Sequence, residues 1–147
     1  YAILFIDVDD FKFINDRYGH NVGDEVIKYV SDTIKECLGK GGIAGRFGGD
    51  EFVLCLTDKE KVERVDDFSM SIIDALYSGY KCEAAGVTLN INASVGISLA
   101  PDHGTGAEEL VGAADEAMYF VKKNGKSNYH IFDPEAAPDL DLGNTII

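Results

Sequence analysis

At 147 residues the chain fits one domain with room for a substantial core. A formal net charge of −13 argues against a nucleic-acid backbone or an anionic membrane surface as its partner. Cys37, Cys55 and Cys82 are odd in number, widely spaced and set in apolar patterns, which reads as free thiols in a reducing compartment. No signal-peptide pattern or membrane-length apolar stretch appears, so the reading places this segment in the cytoplasm without direct membrane contact.

The chain opens on an apolar run, residues 3–8, that reads as a buried strand ending at the carboxylates Asp7, Asp9 and Asp10. A short helix follows and stops near Gly19. A longer one is predicted over 22–38, with Val26, Val30, Ile34 and Leu38 on one face and glycines ending it. Residues 43–47 and 52–56 predict a β-hairpin whose turn is Gly48-Gly49-Asp50-Glu51. Residues 59–77 read as one helix with Val62, Val65, Ile72, Ile73 and Leu76 inward. Strict alternation from Val87 to Leu99 predicts a long strand that bends or carries a bulge. A last helix spans about 107–123, an edge strand 129–132, and residues 133–147 read as an acidic tail or linker. The order βααββαβαβ predicts an α+β sandwich.

The chemistry concentrates in two places. A GG turn followed by two acids is, by itself, an ordinary solvated turn. Asp7 or Asp9 alone is likewise an ordinary strand terminus. A carboxylate at a strand end facing two more at a glycine hairpin is different: hard oxygen ligands of this kind hold Mg²⁺ on a triphosphate. His20 and His103 read as turn residues, Asp115 as an internal hydrogen-bond partner, and Arg46 as a brace on the hairpin through an acid.

Asp7-Val8-Asp9-Asp10-Phe11-Lys12, Asn15-Asp16, Gly19-His20, Gly23-Asp24 and Arg46-Phe47-Gly48-Gly49-Asp50-Glu51-Phe52 resemble the GGDEF family of diguanylate cyclases. The similarity continues through Ala93-Ser94-Val95-Gly96-Ile97-Ser98 and Ala114-Asp115-Glu116-Ala117-Met118-Tyr119 to Lys122 and Gly125-Lys126, covering residues 1–132 in order. The resemblance implies a ferredoxin-like palm of the nucleotide cyclase type, with a central, mainly antiparallel sheet. It implies condensation of two GTP molecules to cyclic di-GMP and two pyrophosphates, with Mg²⁺ or Mn²⁺ as cofactor.

Carried over position by position, Asp7, the Val8 carbonyl and Asp50 ligate the metal. Asp50 and Glu51 are the catalytic pair, Glu51 serving either as metal support or as acceptor of the 3′-hydroxyl proton. Gly48 and Gly49 let the hairpin approach the nucleotide. Asn15 and Asp24 read the guanine edge, whose N1–H and N2–H donors suit a carboxylate. The amides of Phe11 and Lys12 suit a terminal phosphate, and Lys122 and Lys126 match the family's phosphate-binding cations. Only one half-site can be seen per chain, so turnover requires a second GGDEF domain, as in a homodimer.

Three departures stand out. The family's product-binding Arg-x-x-Asp pair is replaced by Gly39 and Gly42. Lys126 stands where arginine is usual and lacks its bidentate fork. The first residue already lies inside the first strand, so the segment reads as a domain lacking its N-terminal lead-in and fused to sensory or regulatory domains. The rival reading is a degenerate, non-catalytic GTP-binding domain controlling a neighbouring module; loss of Asp7, Asp50 or Glu51 would be its sign, and all three are present. A polymerase palm shares paired carboxylates, but −13 and the lack of a basic groove argue against it.

Overall fold

A computed structural model describes residues 1–135. The elements are β1 (Ala2–Val8), α1 (Phe11–Tyr18), α2 (His20–Leu38), β2 (Gly42–Arg46), β3 (Glu51–Leu56) and α3 (Lys59–Glu63). They continue with α4 (Val65–Tyr77), β4 (Tyr80–Cys82), β5 (Val87–Leu89), β6 (Ala93–Leu99), α5 (Ala107–Lys123) and β7 (Tyr129–Ile131). The main sheet runs β2-β3-β1-β6-β7, antiparallel except for the parallel β6–β7 pair, and β4-β5 form a separate ribbon. This is the expected α+β palm with a mainly antiparallel sheet.

β1 is buried on both faces because helices cover both. Leu4, Ile6 and Val8 point into the larger core with Val26, Val30 and Ile34 of α2 and Ile72 and Leu76 of α4. Ile3 and Phe5 point the other way, against Leu110, Ala114 and Met118 of α5. Each such buried aliphatic side chain contributes about 1.5–3 kcal/mol of transfer free energy. The period of two then fixes the site: Asp7 follows Ile3 and Phe5 onto the α5 face, and Asp9 follows Asp7. Gly96 in β6 brings α5 close, since a Cβ there would collide with the Ala114 carbonyl and the Met118 amide.

Three expected elements differ in detail. The helix over 22–38 begins two residues earlier, because Gly19 at φ +94° separates α1 from α2 and the second helix starts at once. The single helix over 59–77 is broken at Arg64, which leaves helical geometry and joins α3 to α4. The alternating run from Val87 to Leu99 is two strands in two sheets. Between them Ile91 N–H donates to the Leu76 carbonyl at 3.2 Å, so α4 intercepts the backbone, and the Asn90 side-chain Nδ2 donates to the Tyr77 carbonyl at 2.7 Å. Ile91 is buried at the break, and the burial changes there: residues 87–90 alternate half-buried and exposed, whereas Ala93–Ser98 are buried on both faces. The strand Tyr80–Cys82 had no sequence signal of its own. Residues 133–135 are exposed; the rest of the tail expected over 133–147 lies outside the described residues.

Candidate functional site

The site lies where β1, the β2–β3 loop and the end of α5 meet. Arg46 pairs with Phe52, and the loop between closes by Phe47 N–H donating to the Glu51 carbonyl at 2.7 Å. Arg46 braces the turn through carbonyls, not through an acid as the sequence suggested: Nε donates to Gly48 O at 3.2 Å and Nη2 to Gly49 O at 2.7 Å. Val8 N–H donates to the Asp50 carbonyl at 3.1 Å, tying the loop to the end of β1. The register sets Asp7 opposite Glu51. Carboxylate oxygens of Asp7, Asp50 and Glu51 consequently lie within 4.8 Å of one another.

The two glycines do different jobs. A Cβ on Gly48 would stand 2.6 Å from Glu51 Oε1, so this glycine makes room for the acid. Gly49 faces open space, where a ligand can reach the backbone.

Crowding shows in the acid–base behaviour. Burial pushes the Asp7 carboxyl up to about 7, against the pull of Lys122 and with the push of Asp50 and Glu51. Burial also raises Glu51, helped by the charges of Asp50 and Asp115. Asp115 thus acts as an exposed neighbour of Glu51, which corrects its reading as an internal hydrogen-bond partner. Three hard oxygen donors under mutual repulsion fit Mg²⁺ or Mn²⁺, whose charge would relieve the strain on Asp7. Asp7 and Asp50 would hold such an ion with Glu51 beside them. Val8 lies between Asp7 and Asp9 with its side chain buried.

Lys122 reaches this cluster from the last turn of α5, its Nζ 3.5 Å from Asp7 Oδ1 and 2.6 Å from Asp9 Oδ1. Asp9 is no solvated strand terminus. Its side chain is 1% exposed, and it also accepts from Ser94 Oγ at 2.6 Å and Ser127 N–H at 2.9 Å. Lys126 pairs with Asp10 at 2.9 Å on the exposed rim. Asp10 sits at φ +57° and leaves the start of α1 without a side-chain cap, so the amides of Phe11 and Lys12 lack that internal acceptor. The Lys12 side chain is turned to Asp16 instead.

Asn15 of α1 packs against Gly23 of α2, the residue before Asp24. A Cβ on Gly23 would overlap the Asn15 side-chain amide, so that glycine leaves the Asn15 side chain its room. Asp24 is exposed and lines a cleft of about 370 Å³ with Lys28, Ser31, Lys35 and Arg46. A cleft of similar size beneath α3, lined by Lys61, Arg64 and Phe68, contains none of the expected site residues. Sequence reasoning missed Asp9, Ser94 and Ser127 as a unit. The available signal was parity: Asp9 shares a face with Asp7, and Ser94 interrupts an apolar strand.

A mixed sheet with helices on both faces and acids at the turn of its β2–β3 edge hairpin has the architecture of the palm-type cyclase fold. The chain belongs to the GGDEF family: residues 1–128 match the family described as "Diguanylate cyclase, GGDEF domain". It is 33% identical over 132 residues to the diguanylate cyclase DosC of Escherichia coli, covering 89% of this chain and 28% of that protein. It is 33% identical over 134 residues to the cyclic di-GMP phosphodiesterase PdeR of the same organism, covering 91% of this chain and 20% of that protein. The solved GGDEF domain of YfiN (TpbB) from Pseudomonas aeruginosa superposes with a TM-score of 0.85 at 32% identity, over 90% of this chain and 81% of that one. The chain therefore spans less than a third of these two curated relatives. No helix among the described residues is long and apolar enough to cross a membrane.

Proposed function

We propose that the domain condenses two GTP molecules into cyclic di-GMP with release of two pyrophosphates. The observation that carries this reading is the intact Asp7–Asp50–Glu51 cluster with Lys122 at its edge. A divalent cation held by Asp7, the Val8 carbonyl and Asp50 would supply charge neutralisation on the phosphates. The chain's own groups do the rest. Asn15 and Asp24 hold the guanine; the Phe11 and Lys12 amides, Lys122 and Lys126 hold the phosphates. Glu51, whose carboxyl is raised by burial and by the charges of Asp50 and Asp115, accepts the proton of the attacking 3′-hydroxyl. The α-phosphate under attack belongs to the nucleotide of a second domain, so two copies meet face to face and turnover rises more steeply than linearly with protein concentration. Residues 1–132 form this catalytic unit, in the cytoplasm and within a longer signalling protein.

One finding favours a second reading. A relative as similar as the cyclase bears the name of a phosphodiesterase, so a GGDEF domain can reside in a protein named for another activity. The second reading is a GTP-binding regulatory domain that makes no product. Incubation with GTP and Mg²⁺ followed by chromatographic separation of the nucleotides decides between them. Cyclic di-GMP formation supports the cyclase; saturable GTP binding without product at any protein concentration replaces it with the regulatory role.

A further inference from the structure

Asp9 is the most enclosed charge in the molecule's functional corner, its side chain 1% exposed. One of its oxygens accepts from Lys122 Nζ and Ser94 Oγ, both at 2.6 Å, and the other from Ser127 N–H at 2.9 Å. The Ser127 hydroxyl in turn donates to the Asn92 side chain at 3.0 Å, and Asp9 N–H donates to the Asn92 carbonyl at 2.8 Å. A carboxylate fixed on this many sides is a rigid anchor. Lys122, by contrast, keeps 21% of its side chain exposed, and an ammonium has three donors. Asp9 takes one of them.

The remaining geometry poses a choice for Lys122. Asp7 lies 3.5 Å away, near enough to capture the ammonium fully if nothing else held it. A lysine collapsed onto Asp7 would occupy the oxygen that a cation needs and would be lost to any phosphate. We propose that Asp9 is a positioning residue that holds Lys122 off Asp7, leaving one face of its ammonium open to a nucleotide phosphate and Asp7 open to a cation. This rests on the GTP-site reading above.

The test is calorimetric and needs no turnover. The probes are α,β-methylene-GTP with Mg²⁺, which is inert at the reacting bond, and inorganic triphosphate with Mg²⁺. Asp9→Asn weakens both by about tenfold, the usual scale for removing a partner that orients a ligand. Lys122→Gln weakens both similarly, and the double variant loses no more than Lys122→Gln alone, because Asp9 acts through Lys122. Circular dichroism checks the fold of each variant. Should Asp9→Asn fail to fold, Ser94→Ala keeps the carboxylate and removes one of its anchors; it weakens both probes by about twofold to fivefold, and by nothing in the Lys122→Gln background.

Unchanged affinity in a folded Asp9→Asn, or losses that simply add, overturns the inference while leaving the GTP site in place. A loss for the GTP analogue without one for triphosphate also overturns it. Absence of binding of α,β-methylene-GTP by the unaltered protein removes the GTP-site reading and this inference together.

Discussion

Two carboxylates in this domain, Glu25 and Asp7, behave in opposite ways. Glu25, on the face of α2, accepts from Tyr80 Oη at 2.5 Å, Cys82 Sγ at 3.2 Å and the amides of Glu83 and Ala84 at 2.8 and 3.2 Å. Those donors, the Tyr80 hydroxyl first, hold its carboxyl down to about 2, while Tyr80 itself is pushed up to about 12. Asp7, at the mouth of the hairpin, is pushed up to about 7 by burial, with Asp50 and Glu51 adding to the rise. Glu25 clamps the β4–β5 ribbon, where Tyr80 also stacks on Tyr29. The Asp7 cluster is left short of positive charge. A carboxylate saturated by its own protein has finished its work; one raised by its neighbours is set for a partner.

The widest separation between the two regions is expected in catalysis. Asp50→Ala or Glu51→Ala should lower cyclic di-GMP formation from GTP by on the order of a thousandfold or more, read by chromatography, whereas Glu25→Gln should leave it within a few-fold. Retained activity in Asp50→Ala would erase the distinction. Next in size is base selection. Asp24→Ala should weaken GTP by about tenfold to a hundredfold in a calorimetric titration while leaving inorganic triphosphate unaffected, because only the guanine edge loses its acceptor.

The acid–base contrast has opposite signs. Asp7 has a folded-state value raised above its unfolded one, so its unfavourable contribution is absent below about pH 4 and complete above about pH 7. Asp7→Asn should therefore stabilise the metal-free protein at pH 8 by about 1 kcal/mol, a fraction of the full shift because water and Lys122 screen the site. That gain should vanish at pH 4 in thermal melts. Mg²⁺ at pH 8 should raise the melting temperature of the unaltered protein more than that of Asp7→Asn.

Glu25 runs the other way. Its depressed value contributes stability that is present above about pH 4.5 and lost as pH falls through about 2. Glu25→Gln should lower the melting temperature at pH 7, speed hydrogen exchange at the Glu83 and Ala84 amides, and make no difference near pH 2. A uniform effect at all pH values would show that shape, not charge, holds the ribbon.

The smallest expected effect is none. Gly39 sits at φ +53°, and a Cβ on Gly42 would run into the Cys55 carbonyl, so an Arg-x-x-Asp product site has neither its side chains nor room for one of them. Cyclic di-GMP added to the turnover assay should therefore produce no tight non-competitive inhibition. Such inhibition would place a product site elsewhere on the surface.

The acidic cluster was legible because its chemistry is local, whereas Asn15, Asp24, Lys122 and Lys126 were expected only through the family resemblance. A strand that ends in acids and a glycine turn followed by two more each state a backbone need and a functional group within a few residues. The helix and strand periods placed nearly every element, since amphipathic burial repeats along the chain. Reading failed where a backbone group chose a distant partner. Nothing near Arg64 announces that the helix divides, and nothing between Val87 and Leu99 shows that Ile91 bonds to the Leu76 carbonyl.

By itself, then, the sequence determined the α+β class and the acids at the hairpin through residue type, order and parity, and its ordered motifs carried the family resemblance that implies the palm. Only the tertiary structure decided what each acid does. Asp7, in β1, and Asp9, in the turn just after it, are two residues apart and look alike in the chain, yet one opens into the cluster and the other is enclosed by Lys122, Ser94 and Ser127. Their roles are set by donors that arrive from α5, β6 and the loop before β7. Hydrogen bonds and charges act through space, at ranges that sequence separation does not measure.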